Sequence, residues 1–176
     1  MALDQTSILN ILPDALVTRL TEKLITDPDD DAKATNVIRG RLRDDPEGLI
    51  IVKVEEGGEP WPHRLNINQG GMRAATYEIG GTNYGSFHRK RFVIVFELHF
   101  GEGDAVTQER KAKVVYSRTQ HAIHTMDMPT RDDFGERASM VQIAGGYLTD
   151  DGGDADFVWN GMIWVEFLTT LEPTDV

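Results

Sequence analysis

The sequence predicts an α+β domain: an antiparallel or mixed sheet with helices packed mainly on one face. Three observations carry that prediction. Residues 87–100 and 156–171 are long and alternate with period two, as strands do. Residues 8–25 repeat leucine every fourth position, as a helix with one apolar stripe does. The elements do not alternate strand and helix throughout, as a doubly wound sheet requires. At 176 residues the chain has the size of one domain, 1–176, with a real core.

The first helix follows from Leu12, Leu16, Leu20 and Leu24, with Ile8, Val17 and Ile25 widening the stripe. Pro13 suits a first turn, where its missing N–H has no partner to lose. Asp27-Pro-Asp-Asp-Asp31 ends that helix. Residues 32–43, AKATNVIRGRLR, read as a short second helix weakened by Gly40. Leu49–Glu55 is the first strand. Residues 66–88 hold five glycines and alternate weakly, which describes a long extended excursion or loose hairpin. Phe87–Phe100 is the strongest strand. Asp104 caps a helix whose stripe is Ala105, Ala112, Val115, Tyr116, Thr119, Ala122, Ile123 and Met126. Met128–Arg137 is a polar connection. Met140–Leu148 is a strand with a bulge expected at Gly145-Gly146. Asp150–Asp154 is a turn, and Asp156–Leu171 is the last long strand.

Each long strand has one fully apolar face and one divided face. In RKRFVIVFELHFG, Phe92, Ile94, Phe96, Leu98 and Phe100 share the first face, while Val93 and Val95 precede Glu97 on the second. In DFVWNGMIWVEFLTTL, Met162 and Trp164 precede Glu166 in the same way. Helices can cover the first faces. The second faces form an apolar patch that needs another cover, either the 57–88 excursion or a second subunit. If the cover is a second subunit, Val93, Val95, Met162 and Trp164 form the subunit interface.

Composition excludes several classes. There are no cysteines, so disulfides, thiolate metal sites and cysteine nucleophiles are absent. No apolar run has the length of a membrane span. The first residues lack a basic n-region and are interrupted by Asp4 and Asp14, so they do not read as a secretory signal. The net charge of −11 opposes gripping phosphate. Residues 61–100 are the exception, with five cations against two acids. There Arg73, Tyr77, Tyr84, Arg89, Lys90 and Arg91 interleave base and aromatic. That pattern fits single-stranded nucleic acid, a charge-complementary protein contact, or a strand edge protected by cations. In so acidic a chain the protein contact is preferred.

Candidates for chemistry are sparse. His121 and His124, three apart on a helix with Asp127 nearby, have the spacing of two ligands of one metal, but no HExxH accompanies them. Ser86, Ser117 and Ser139 lack a nucleophile-elbow context. Gly80–Gly85 lacks the Gly-Lys-Ser/Thr ending of a phosphate loop. Glu97 and Glu166 would form a carboxylate pair if they faced each other on neighbouring strands.

The succession of LPDALVTRLTEKLI, FVIVFELHFGEG running into a helix, and the terminal FVWNGMIWVEFLTTLEP resembles the tail-terminator and neck proteins of tailed bacteriophages. The resemblance covers most of the chain and lies in element order and the character of the last strand. It implies a virion structural protein of the head–tail junction, a tail terminator forming a hexameric ring. Such a ring assembles in the host cytoplasm, caps the tail tube, docks to the head connector and lets DNA pass without specific binding. A head-closure or connector-adaptor ring is the neighbouring alternative. The resemblance brings no catalytic residue, cofactor or metal, so it implies no enzyme. The Gly-rich excursion at 66–88 is longer than the pattern. On this reading Arg73, Tyr77, Tyr84, Arg89, Lys90 and Arg91 contact a neighbouring ring, and acidic side chains line the channel. The alternative from another class is a small metal-dependent enzyme built on His121 and His124.

Overall fold

The structure is a computed structural model that describes residues 6–26, 33–40, 49–56, 78–79, 86–101, 103–150 and 157–171. Helix α1 spans Ile8–Thr21 and closes in a π-helical turn, Glu22–Thr26. The strands are β1 (Asn36–Gly40), β2 (Leu49–Glu55), β3 (Glu78–Ile79) and β4 (Ser86–Phe100), then β5 (Glu136–Asp150) and β6 (Phe157–Leu171). Helix α2, Ala105–His124, lies between β4 and β5. The main sheet runs β1-β2-β4-β6-β5, with β3 paired to the start of β4. Among the described strands only β2 and β4 pair in parallel, so the sheet is mixed and the fold is α+β.

Helix α1 forms where the leucines predict it. Leu12, Leu16 and Leu20 are fully buried, and Leu24 is 1 % exposed. A four-residue spacing drifts around an α-helix of 3.6 residues per turn. The wider π turn brings Leu24 back onto the stripe. The helix begins earlier than Pro13 implies: Ser7 is its N-cap, and Pro13 lies inside it, buried. Residues 36–40 are strand rather than the predicted second helix. They pair antiparallel with β2 from Asn36↔Lys53 to Gly40↔Leu49. β-Branched Val37 and Ile38, followed by Gly40, favour a helix weakly enough for pairing to decide. The Asp27–Asp31 stop signal lies outside the described residues.

Both helices pack on the same side of the sheet. Ile8, Leu12, Leu16 and Leu20 of α1 share one core with Ala112, Val115, Ala122 and Ile123 of α2. Ile50, Val52, Phe92, Ile94, Phe96, Ile163, Val165 and Phe167 supply the sheet side of that core. Phe92 meets Phe167 edge-on at 5.8 Å. Asp104 caps α2 as expected, accepting from the Thr107 amide at 2.9 Å. The predicted stripe on α2 holds except at exposed Ala105, and it omits buried Gln108. Arg19 of α1 donates to the carbonyls of Ala122 and Thr125, which ties the end of α2 to α1.

The connection from α2 to β5 is polar but not loose. Asp132 is 7 % exposed. Its Oδ2 accepts from the Ile8 amide at 2.8 Å, at the N-terminus of α1. Its Oδ1 accepts from the amides of Phe134 and Glu136 at 2.9 and 2.8 Å. One carboxylate thus fixes the start of α1, the turn and the start of β5. Gly135 at φ 87° completes the turn in a conformation other residues adopt at a cost.

Strand β5 carries two register shifts, one between Ala138 and Met140 and one between Ile143 and Gly145. The second lies beside the predicted Gly145-Gly146 bulge; the first has no glycine to announce it. Each shift exchanges which residues face the helices. Ala138 faces the core; Val141 and Ile143 do so after the first shift. After the second, Tyr147 stands opposite Met162 on the far side.

Candidate functional site

Alternation along β4 sends its odd-numbered residues to the face away from both helices. There Val93 opposes Leu49 and Trp164, and Val95 opposes Ile51 and Met162. These six residues form a second apolar cluster. An ion pair stands at each end. Arg91 pairs with Glu166, which also accepts from Gln142 at 2.9 Å. Lys53 pairs with Glu97 at 2.9 Å. Tyr147 of β5 approaches Trp164 edge-on, with centroids 6.5 Å apart.

Of the two covers expected for this patch, a second subunit is not what encloses its centre. Val93, Val95 and Met162 are 2, 1 and 6 % exposed within a single chain. They do not wait for a second subunit to bury them. Trp164 is half-buried, and Tyr147 beyond it is 41 % exposed. The accessible part of this face therefore lies along β5. Trp164 reaches that side because Gly145 leaves room: a Cβ there would sit 2.7 Å from the indole ring.

The basic run also divides. Arg89 is exposed, but Lys90 points to the opposite face, is 7 % exposed and pairs with Glu136 at 3.3 Å. Thr169 donates to the same Glu136 carboxylate. Arg91 is engaged with Glu166. Consecutive cations on a strand cannot form one patch, because neighbours face opposite ways. Of the proposed inter-ring contacts, Arg89 alone is both described and exposed. Arg73, Tyr77 and Tyr84 lie outside the described residues, as does most of the 66–88 excursion. Of its described residues, Glu78-Ile79 pair antiparallel with Phe87-His88, as in a hairpin.

Glu97 and Glu166 do not face each other. Glu166 is in register with Arg91, six residues from Glu97 along β4, roughly 20 Å at 3.4 Å per residue. Burial pushes the Glu166 carboxyl up, but hydrogen bonds from Arg91 and Gln142 and the charges of Arg91 and Arg89 outweigh it. The result is a carboxyl held below its ordinary value. This is an anchored structural anion rather than a poised acid.

His121 and His124 lie exposed on the last turn of α2, and Asp127 follows, also exposed. Among the described residues no group of three or more His, Asp or Glu side chains converges as a metal centre needs.

Six large apolar side chains are exposed among the described residues, Ile38 and Leu171 the least of them. Val106 is 66 % exposed on α2, Phe134 54 % in the turn before β5, and Met140 and Tyr147 47 and 41 % on β5. Strand β5 is 15 residues long and pairs only with β6, so its outer edge has no strand partner among the described residues. Sequence reasoning missed Phe134, since a single phenylalanine in RDDFGER has no periodic partner to give it a face. The available signal was its isolation among charges.

In comparison with known proteins, no protein-family model, no curated protein and no solved structure matches the chain.

Proposed function

We propose that this chain is a structural subunit of the head–tail junction of a tailed bacteriophage, a tail terminator that assembles as a ring on the end of the tail tube. The observation that carries the reading is the β5 margin. It combines a 15-residue edge that has no strand partner among the described residues with exposed Met140 and Tyr147 and the half-buried Trp164 beside it. A long sheet edge with apolar side chains is a template for another chain, and proteins that stay alone blunt such edges. In an assembly subunit the same feature is a joint. The bulges at Ser139 and Ala144 limit uncontrolled edge pairing while leaving side chains presented.

Three further features support the reading. The structure has an N-terminal helix, a long strand running into a helix and a long terminal strand, the elements on which the resemblance rests. The charge of −11 suits a wall that DNA slides past. The ion pairs framing the second apolar cluster hold that face rigid beside the margin. The subunit contact is accordingly assigned to Trp164, Tyr147 and Met140, with Val93, Val95 and Met162 as the buried support beneath.

The test is assembly. Purified chain is mixed with tail tubes lacking a terminator, and the tube ends are imaged by electron microscopy, with sedimentation velocity on the chain alone. Rings seated on tube ends are expected. A chain that stays single at high concentration and leaves tube ends bare would refute the reading.

A further inference from the structure

On the face away from the helices, three neighbouring strands build a small notch at the Met140 end of the β5 margin. Arg89 of β4 and Met140 of β5 both stand opposite Leu168 of β6. Their side chains therefore flank Leu168 as two walls flank a floor. Gln142 and Glu166, one row further along the same face, close the end toward the second apolar cluster. The notch holds about 70 Å³. A water's share of the liquid is about 30 Å³, so a group of two or three heavy atoms fits.

The charges in the notch are divided. Glu166 is already matched: Arg91 and Gln142 both donate to it, and its side chain is 6 % exposed. Arg89 acts on that carboxylate through its charge alone. Arg89 itself is exposed, and among the described residues no hydrogen bond or ion pair engages it. The Gln142 amide has a second N–H besides the one given to Glu166. One matched pair and one unmatched guanidinium leave the notch at +1 on a chain of −11. A planar guanidinium beside an apolar ledge suits a carboxylate side chain. The oxygens meet the cation, and the methylenes lie against Leu168 and Met140.

We infer that this notch receives an aspartate or glutamate side chain of a neighbouring copy, with Arg89 as its cation. Two observations name the occupant. Met140 belongs both to the notch and to the subunit contact assigned above, so whatever lies over Met140 also lies beside Arg89. The chain carries 29 acids against 18 lysines and arginines, so a second copy presents carboxylates to most approaches. Two such chains meet only where a cation faces an acid, because like charges across an interface cost affinity. This deepens the proposed ring contact and rests on it. Arg89 makes the approach of a like-charged copy favourable, and it belongs to the joint between subunits rather than between rings.

The experiment uses the full chain in native form and as Arg89→Gln and Arg89→Lys. Position 89 is exposed, so circular dichroism and melting should match the native chain. Association is followed by sedimentation velocity, with and without tail tubes, from about 50 to about 500 mM salt. The native contact should weaken as salt rises. Arg89→Gln should associate about tenfold more weakly at low salt, the loss of one charge-assisted pair, and should respond less to salt. Arg89→Lys should recover part of the affinity. It also identifies the occupant. Isotopically heavy and light chains of that variant are mixed and treated with carbodiimide, which joins an amine to a carboxylate in contact with it. Mass spectrometry should find position 89 of one copy linked to an aspartate or glutamate of the other. The native chain, whose neighbouring Lys90 is buried, is the control. Unchanged association and salt response in Arg89→Gln, or no link between copies, overturn this inference and spare the ring reading. A native chain that assembles neither alone nor on tube ends overturns both.

Discussion

Replacing Asp132 by alanine is the sharpest test of how the fold is held at its helix-to-sheet junction. The carboxylate is nearly buried and satisfies three main-chain donors, at Ile8, Phe134 and Glu136, each within 2.8–2.9 Å. Loss of the acceptor at the α1 N-terminus costs about 1 kcal/mol, the usual effect of losing a cap. Each of the other two amides is left wanting a partner, at about 1–3 kcal/mol if water cannot reach it. Because the turn lies near the surface, water recovers part of that. The expected total is about 3 kcal/mol. For a chain of this size that lowers Tm by roughly 6–12 °C. Urea denaturation followed by far-UV circular dichroism measures it, with the slope unchanged and the midpoint reduced. A loss below about 0.5 kcal/mol, the range of ordinary surface substitutions, would refute the argument that this carboxylate joins α1 to β5.

Three more outcomes follow from other contacts. Lys90→Met should cost about 1–3 kcal/mol, because it leaves the half-buried Glu136 carboxylate with Thr169 as its side-chain partner among the described residues, while Arg89→Met stays within about 0.5 kcal/mol; equal effects in urea would contradict the division of the basic run between faces. Gly146→Ala should cost about 1–3 kcal/mol, since a Cβ there lies 2.7 Å from the Met162 carbonyl oxygen and against Tyr116; a neutral result in thermal melts would show that β5 and α2 are not packed as described. Glu166 has a folded pKa below its ordinary 4.5, so its contribution is full above that value and fades as pH falls through the folded pKa. Denaturant midpoints taken from pH 6 down to pH 3 should therefore fall, and Glu166→Gln should fall less steeply over the same window.

Much of the fold was legible because its signals are local. The leucine stripe of α1, the Asp104 cap, the alternation of β4 and β6 and the weak point near Gly145 each depend on residues a few positions apart. So did the conclusion that one face of each long strand is core. The failures share one cause. The short segment Asn36–Gly40 has little preference of its own, and its pairing with β2 made it a strand. Nothing near Lys90 indicates that its partner is Glu136, and the first shift in β5, at Ser139, carries no glycine.

The candidate site divides in the same way. The sequence alone determined that β4 and β6 have a second face, apolar in part and then acidic, because alternation is a property of the extended backbone itself. Only the tertiary structure decided that Val93 and Val95 are already enclosed, that Arg91 belongs to Glu166, and that Asp132 reaches Ile8 across 124 positions. Those outcomes depend on register and on which element lies beside which. They are set by the summed burial of the whole core, and no single stretch of the chain carries that information.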